Sequence, residues 1–421
     1  MTGARQDGSS RDGDSAWTVR GGTESEHPEA LRVFTEALNI PLQEELRGER
    51  EHPVIEHDRT LLALDGDRIV GTAMAHSFEM TMPGGPRPVA GVTGVGVWPT
   101  YRRRGVLSAL MRRQLADIRA RGENLAALWA SEGGIYGRFG YGVPFREMRA
   151  SVQRVHARLR PDAPRDPSLT VELAEPAQAR EEMERLHRQA VPTRVGQFPR
   201  GANWWSRMLT DKPGPEAGRT RVALVHGPDG PQGYALHRLL SRWEVGLPQG
   251  QVMVRELVAA TPAARVALYE HLLERDLIAE TVFQSLPEDD PLTALAADPR
   301  RVDQHGFDAL WMRLVDVPGA LSDRPYNLGV EVVLEVTDRF APWNAGRWRL
   351  KAGTGGARVE ATDAAPDLGL DVSHLGAAYL GRVALTAFVD AGVATEYTPG
   401  VAARLDTALY APRAPFCGTD F

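Results

Sequence analysis

GVTGVGVWPTYRRRGVLSAL, residues 91–110, divides into a strand, a turn, a basic loop and the opening of a helix. Val92, Val95 and Val97 are β-branched residues suited to a strand. Trp98-Pro99-Thr100 ends it, because proline donates nothing to a ladder. After Arg102-Arg103-Arg104-Gly105, residues Leu107, Leu110, Met111 and Leu115 recur at helical spacing. A helix that opens on an arginine-glycine loop offers free backbone N–H groups and a positive dipole end. Gly105 carries no Cβ, so an anion can approach the main chain there.

No Gly-Lys-Ser/Thr follows, so this is not a Walker loop, and it is not a GxGxxG fingerprint. An Arg-x-x-Gly-x segment after a strand resembles the pyrophosphate-binding motif of the GNAT N-acetyltransferases, which use acetyl-CoA. Leu107 stands where that motif usually has glycine or alanine.

The 421 residues suffice for two to four domains, and 43% hydrophobic content supports ordinary cores. A net charge of −6 argues against general nucleic-acid binding, and the arginine run is local enough to suit a small polyphosphate. Lysine occurs only at positions 212 and 351, a bias typical of GC-rich bacterial genomes. Cys417 is the single cysteine, which leaves no intrachain disulfide and no CxxC zinc site. His52 and His57 lack HExxH spacing, so no metal is implied. The lack of a long apolar run or signal-peptide core predicts a cytoplasmic protein with no membrane partner. Residues 1–16 are polar and glycine-rich and read as a disordered terminus.

From residue 17 the pattern is β-α-β-β-β-α-β-α-β. A hairpin is centred on Asp65-Gly66, a type I′ pair. Strands follow over Phe78–Met82 and Val89–Val97, then Leu125–Trp129, and Phe145–Arg154 is the final strand of this unit, residues 17–155. A second α/β unit, 165–315, looks like a weak internal repeat: strand Gln251–Ala260, turn Thr261-Pro262 and helix Ala263–Leu277 echo the opening stretch. Trp311–Leu314 likewise echoes Met148–Val152. Ala263-Ala264-Arg265 replaces the arginine-glycine loop, and its β-carbons would crowd a pyrophosphate. Residues 316–421 resemble the small α/β fold of sterol carrier proteins. The fold class expected is therefore α/β (α+β), with two tandem GNAT folds, the second degenerate, and a sterol-carrier-like domain.

Acetyl transfer from a thioester to an amine needs a placed thioester, a polarised carbonyl, a base for the amine and an acid for the thiolate. The main chain of Val95, Gly96 and Val97 can pair with a pantetheine arm as an added strand does. Polarisation falls to the N–H of Gly96 or Val97. A phenol suits the acid, and IYGRFGYG supplies Tyr136 and Tyr141; by pattern alone either one acts, or both only pack. The end of the chain, Pro-Phe-Cys-Gly-Thr-Asp-Phe, is unusually apolar. Burying its last phenylalanine would bring a carboxylate inside and raise its pKa towards that of a base, unless the tail is docked only for stability.

GVGVWPTYRRRGVL together with ALWASEGGIYGRFGYG (127–142) closely resembles the Eis (enhanced intracellular survival) acetyltransferases of actinobacteria, and the three-part layout resembles theirs over essentially the whole chain. That resemblance implies Tyr136 as general acid and the carboxylate of Phe421 as general base. It implies an acetyl-CoA site of Val95, Gly96, Val97, Arg103, Arg104, Gly105, Val106, Leu107, Ser108, Ser131 and Glu132, and a homo-hexamer built as a dimer of trimers. The substrates it implies are aminoglycosides, acetylated at several amines. An acidic pocket would suit such polycations, with Asp420 and Glu36 as candidates. The competing readings are a protein-lysine or polyamine acetyltransferase and, in another class, a lipid-binding protein.

Overall fold

The computed structural model describes residues 17–210 and 218–421; the terminus expected to be disordered lies outside them. Three sheets organise the chain. The first unit runs β1 (Thr18–Gly21), α1 (His27–Leu38), α2 (Leu42–Glu51), β2 (Leu61–Asp65), β3 (Arg68–Met82), β4 (Gly85–Val97), α3 (Val106–Ala120), β5 (Leu125–Trp129) and α4 (Gly133–Tyr136). α3 packs Val106, Leu110, Met111, Leu115 and Ile118 against Ala63, Val70, Ala90, Val92, Ala126 and Leu128 of the sheet. Its positions recur at helical spacing, and each fully buried aliphatic side chain is worth about 1.5–3 kcal/mol. Past α3, Gly122 turns the chain at φ +79°, as a C-cap glycine does.

Two turns differ from expectation. The β2–β3 register pairs Asp65 with Arg68, so the two-residue loop is Gly66-Asp67, with φ positive only at Gly66. A type I′ turn needs positive φ at both central residues. The Pro83-Gly84 turn is tight enough that β3 and β4 form one long hairpin from Arg68 to Val97, with no separate strand at Phe78.

After β6 (Arg146–Gln153) the second unit runs β7 (Thr170–Ala174), α5 (Pro176–Ala190), α6 (Ala202–Leu209), β8 (Thr220–Gly227), β9 (Gly230–Leu240), the short hairpin β10 (Trp243–Glu244) and β11 (Leu247–Pro248), β12 (Gly250–Ala259), α7 (Pro262–Leu273), β13 (Ile278–Pro287), α8 (Leu292–Leu295), β14 (Val302–Asp308) and β15 (Leu310–Leu314). α7 covers one face with Ala264, Leu268, Tyr269 and Leu272, and α5 and α6 cover the other with Met183, Leu186, Trp205 and Met208. The third unit runs α9 (Val317–Ser322), β16 (Val330–Thr337), β17 (Gly346–Gly353), β18 (Gly356–Ala361), β19 (Leu368–Asp371), α10 (Val372–Ala378), α11 (Leu385–Asp390), β20 (Thr395–Glu396) and α12 (Val401–Leu409).

The principal departure from the sequence reading is a strand exchange. The first sheet has the order β1-β2-β3-β4-β5-β15 and the second β14-β6-β13-β12-β9-β8-β7. Thus β6, expected to complete the first sheet, lies between β13 and β14, while Leu310–Leu314 pairs antiparallel with Leu125–Trp129. Both faces of β15 are buried. Leu310, Met312 and Leu314 meet Leu375 and Ala378 of α10, and Trp311 joins the α3 core. That double burial accounts for its apolar character, broken only by Arg313, as in strands covered on both sides. Arg313, fully buried, is neutralised by Asp338 at 2.5 Å. No helix among the described residues is long and apolar enough to cross a membrane.

Candidate active site

β4 and β5 pair in parallel only from Val89 opposite Leu125 to Val92 opposite Leu128. β4 continues to Val97, with its other edge still bound to β3 through Gly96 opposite Thr72 and Val97 opposite Gly71. Thr93–Val97 therefore presents one unpaired edge to a V-shaped opening, which suits an added strand of amides. Val95 and Val97 are half-buried there. Gly96 is walled by α1: a Cβ on it would lie 2.9 Å from the Phe34 Cα and 3.2 Å from the Ala37 Cβ.

The basic loop lies at the mouth of that opening. Gly105 caps α3 at φ +86° with no side-chain cap, and the space beside it is open, the nearest atom to a Cβ there being Trp17 Nε1 at 3.9 Å. The three arginines are not equivalent. Arg102 donates to the Ala37 carbonyl at 2.8 Å, and Arg104 stacks on Trp17 and Tyr101, 5.0 and 4.7 Å from the ring centres. Arg103 stands exposed at φ +61°, the one of the three without a hydrogen bond, ion pair or ring contact among the described residues. Val106, Leu107 and Ser108 form the first helical turn, where N–H groups lack intrahelical acceptors.

Ser131 and Glu132 are exposed just past β5, and Glu132 opens the single turn that carries Tyr136. Tyr136 is 6% exposed and Tyr141 1%, with ring centres 6.0 Å apart in an edge-to-face pair. Burial, with a smaller push from the Glu132 charge, raises the Tyr136 phenol to about 12, so it stays protonated at neutral pH. Tyr141 is sealed beneath it, and its hydroxyl has no hydrogen-bond partner among the described residues.

Phe421 closes the opposite side. Its ring lies edge-on to Phe78 at 4.8 Å and to Phe198 at 5.9 Å, and Phe78 stacks on Phe198 at 4.1 Å. Trp204 and His76 complete this aromatic wall, with ring centres 5.1 Å apart. A Cβ at Gly91 would sit 3.1 Å from Phe421 Cε2, which places the last residue on β4 immediately before the strands part. Burial lowers His76 to about 4, so the imidazole is neutral and a weak base.

The two expected acidic groups are placed less favourably. Asp420 is exposed with its carboxylate 4.0 Å from Arg255, which partly neutralises it. Glu36 lies on the exposed side of α1, where it acts electrostatically on Arg32. Phe78, Phe198 and Trp204 were not legible in sequence, because they sit on three separate segments and carry no motif. Among the described residues no cluster of three metal-ligating side chains occurs.

Comparison with known proteins agrees with this geometry. Residues 18–143 and 196–314 each match a family described as an acetyltransferase (GNAT) domain, and residues 317–418 match the sterol carrier protein domain. An uncharacterized N-acetyltransferase of Streptomyces avermitilis is 41% identical over 380 residues, covering 88% of this chain and 92% of its own length. The N-acetyltransferase Eis of Mycobacterium tuberculosis is 38% identical over 330 residues, 75% of this chain and 77% of that protein. The crystal structure of Eis1 from Mycobacterium abscessus superposes with a TM-score of 0.81 at 34% identity, covering 96% of this chain and all of the other. With its open strand divergence and glycine-capped helix, this chain belongs to the Eis family of GNAT N-acetyltransferases.

Proposed function

We propose that the first unit transfers the acetyl group of acetyl-CoA directly to primary amines of polycationic small molecules such as aminoglycosides, at more than one position. The observation that carries this reading is the divergence of β4 from β5, with a basic cradle at one end and the aromatic wall closed by Phe421 at the other. Pyrophosphate would meet Arg103, the N–H groups of Val106–Ser108 and the open face of Gly105, with the stacked Arg104 bracing the loop. The amides of the pantetheine arm would pair with Val95–Val97, and the N–H of Gly96 or Val97 would polarise the thioester carbonyl. Ser131 and Glu132 would line the other side.

In the reaction the Phe421 carboxylate takes one proton from the substrate ammonium, and the freed amine nitrogen bonds to the acetyl carbon as the carbon–sulfur bond breaks. The departing thiolate takes a proton from Tyr136, and the second proton shed by the nitrogen as it becomes an amide restores the phenol. A buried phenol held neutral suits that task. Asp420 would lend charge to the acceptor side, with Glu36 further out. We extend the reading to a homo-hexamer. Trp243, Val245, Leu247 and Leu277, all more than half exposed near one end of the second sheet, supply apolar surface for contacts between subunits.

The test is a thiol-release assay with an aminoglycoside, a polyamine and a lysine peptide. Turnover should be fastest with the aminoglycoside and lost in Gly105→Val, which puts a β-branched residue at φ +86° inside the cradle. An unchanged acetyl-CoA affinity in that variant would contradict the cofactor site. Preference for the peptide would favour a protein-lysine acetyltransferase instead.

A further inference from the structure

The second unit keeps the divergent strands of its fold but has closed its cradle. β12 and β13 pair in parallel from Gly250 to Val254 and then separate, as β4 and β5 do. Here the helix is capped: Thr261 Oγ1 accepts from the Ala264 N–H at 3.1 Å, and Arg265 pairs with the buried Asp290. The Ala264 N–H is thus taken by the cap and the Arg265 N–H by the Thr261 carbonyl, so the first turn offers a phosphate less than α3 does.

What spans this second divergence is the tail of the chain itself. Residues 410–421 have no regular structure, yet their polar groups are held one after another. Asp289, two residues past β13, accepts from the Ala414 N–H at 2.8 Å, and Val195 O accepts from Phe416 at 2.9 Å. Glu147 Oε1, on the exchanged strand β6 opposite Pro287, accepts from Cys417 and Gly418 at 3.1 and 3.2 Å. Arg200 donates from Nε and Nη2 to Thr419 Oγ1 at 2.9 and 2.5 Å. Arg200 is itself locked to Glu256, which lies just beyond the paired part of β12 and also accepts from Tyr234. The last hold comes from the first unit: Trp129 Nε1, at the end of β5, donates to the Thr419 carbonyl at 3.1 Å. Two residues later Phe421 reaches Gly91.

We infer that the second unit is a positioning device for the active site of the first: the divergence that in a GNAT fold takes a pantetheine arm here holds the chain's own tail, with Arg200, Glu256, Glu147 and Thr419 fixing where Phe421 ends. These are positioning residues that act through Phe421, and the inference rests on the reading of its carboxylate as the base. It also explains why a unit without a cradle retains a largely buried Arg–Glu pair aimed at the tail. An ion pair in that setting is costly to desolvate and serves specificity more than stability.

The test is Thr419→Val, which keeps the shape and removes the acceptor, beside Thr419→Ser, which restores it. We expect kcat per acetyl-CoA-binding site to fall by about 10- to 100-fold in Thr419→Val, the cost of an ångström-scale misplacement. The KM for acetyl-CoA should stay within about twofold, and Thr419→Ser should recover most of kcat. Trp129→Phe, which releases the other hold on Thr419, carries the same expectation and decides the matter if Thr419→Val does not bind acetyl-CoA. A merely structural role would lower the number of binding sites and leave kcat per site unchanged, and that result overturns the inference. Deleting Phe421 separates the two levels. If the deletion abolishes transfer while Thr419→Val stays at wild-type kcat, the positioning role alone fails. If the deletion transfers at full rate, the base assignment fails and the positioning role with it.

Discussion

Gly91→Ala tests the packing that brings the last residue to the cleft. A Cβ at position 91 would lie 2.2 Å from Phe78 Cε2, 2.5 Å from Phe78 Cδ2 and 3.1 Å from Phe421 Cε2. Optimal carbon contact is about 3.5 Å, so the Phe78 ring must retreat by more than about 1 Å. It has little room to do so, because Phe198 stacks on it at 4.1 Å and His76 and Trp204 flank it. The displacement therefore passes to Phe421, whose ring is only half-buried. Overpacking of this kind costs about 1–3 kcal/mol of stability. A shift of Phe421 by about 1 Å exceeds the ~0.5 Å tolerance of a working constellation. Gly91→Ala should thus fold with a lowered Tm and bind acetyl-CoA normally, since the open edge Thr93–Val97 begins beyond it. Its kcat should fall by about 10²-fold. Calorimetry for cofactor affinity and initial rates with an aminoglycoside decide the matter. Wild-type kcat in a variant destabilised as expected would refute the placement of Phe421 in the machinery.

The two tyrosines should separate cleanly. Tyr136→Phe should lose about 10²–10⁴-fold in kcat at unchanged acetyl-CoA affinity. Tyr141→Phe, which removes a buried hydroxyl with no partner among the described residues, should keep its activity with a Tm equal to or above wild type. For pH, burial lowers His76 and His187 to about 4, so between their unfolded value of ~6.5 and ~4 the unfolded chain binds more protons. The stability they confer is fully present above that window and is lost as pH falls through it, by up to ~3 kcal/mol for each histidine. Tm should drop on acidification across this range, and His187→Gln should flatten the curve.

How much of this was readable in the sequence follows from which signals are local. The cradle was legible because strand, turn, loop and helix are consecutive, and Val106–Ala120 appears where apolar spacing puts it. The repeat was legible too, since Thr261-Pro262 mirrors Pro99-Thr100. The partner of β6 was not, because pairing is a long-range choice, and Trp311–Leu314 echoes Met148–Val152 in sequence. The aromatic wall was hidden for a related reason: His76 and Phe78 share one face of β3, while Phe198, Trp204 and Phe421 arrive from elsewhere. The arginine run read as three equal cations, whereas only tertiary contacts show that Arg102 and Arg104 are engaged and that Arg103, among the described residues, is not. Glu147 and Arg200 gave no signal at all, since a buried charge looks like a surface one until its partner is known.

The most direct measurement concerns the end of the chain. One glycine added after Phe421 moves the terminal charge by about 3.5 Å and alters no side chain. With acetyl-CoA affinity and Tm unchanged, the account predicts that acetyl transfer to an aminoglycoside nearly ceases, while a tag placed before residue 1 has no effect. Full transfer by the extended protein would contradict it and would move the base to a side chain or to a water held by main-chain groups.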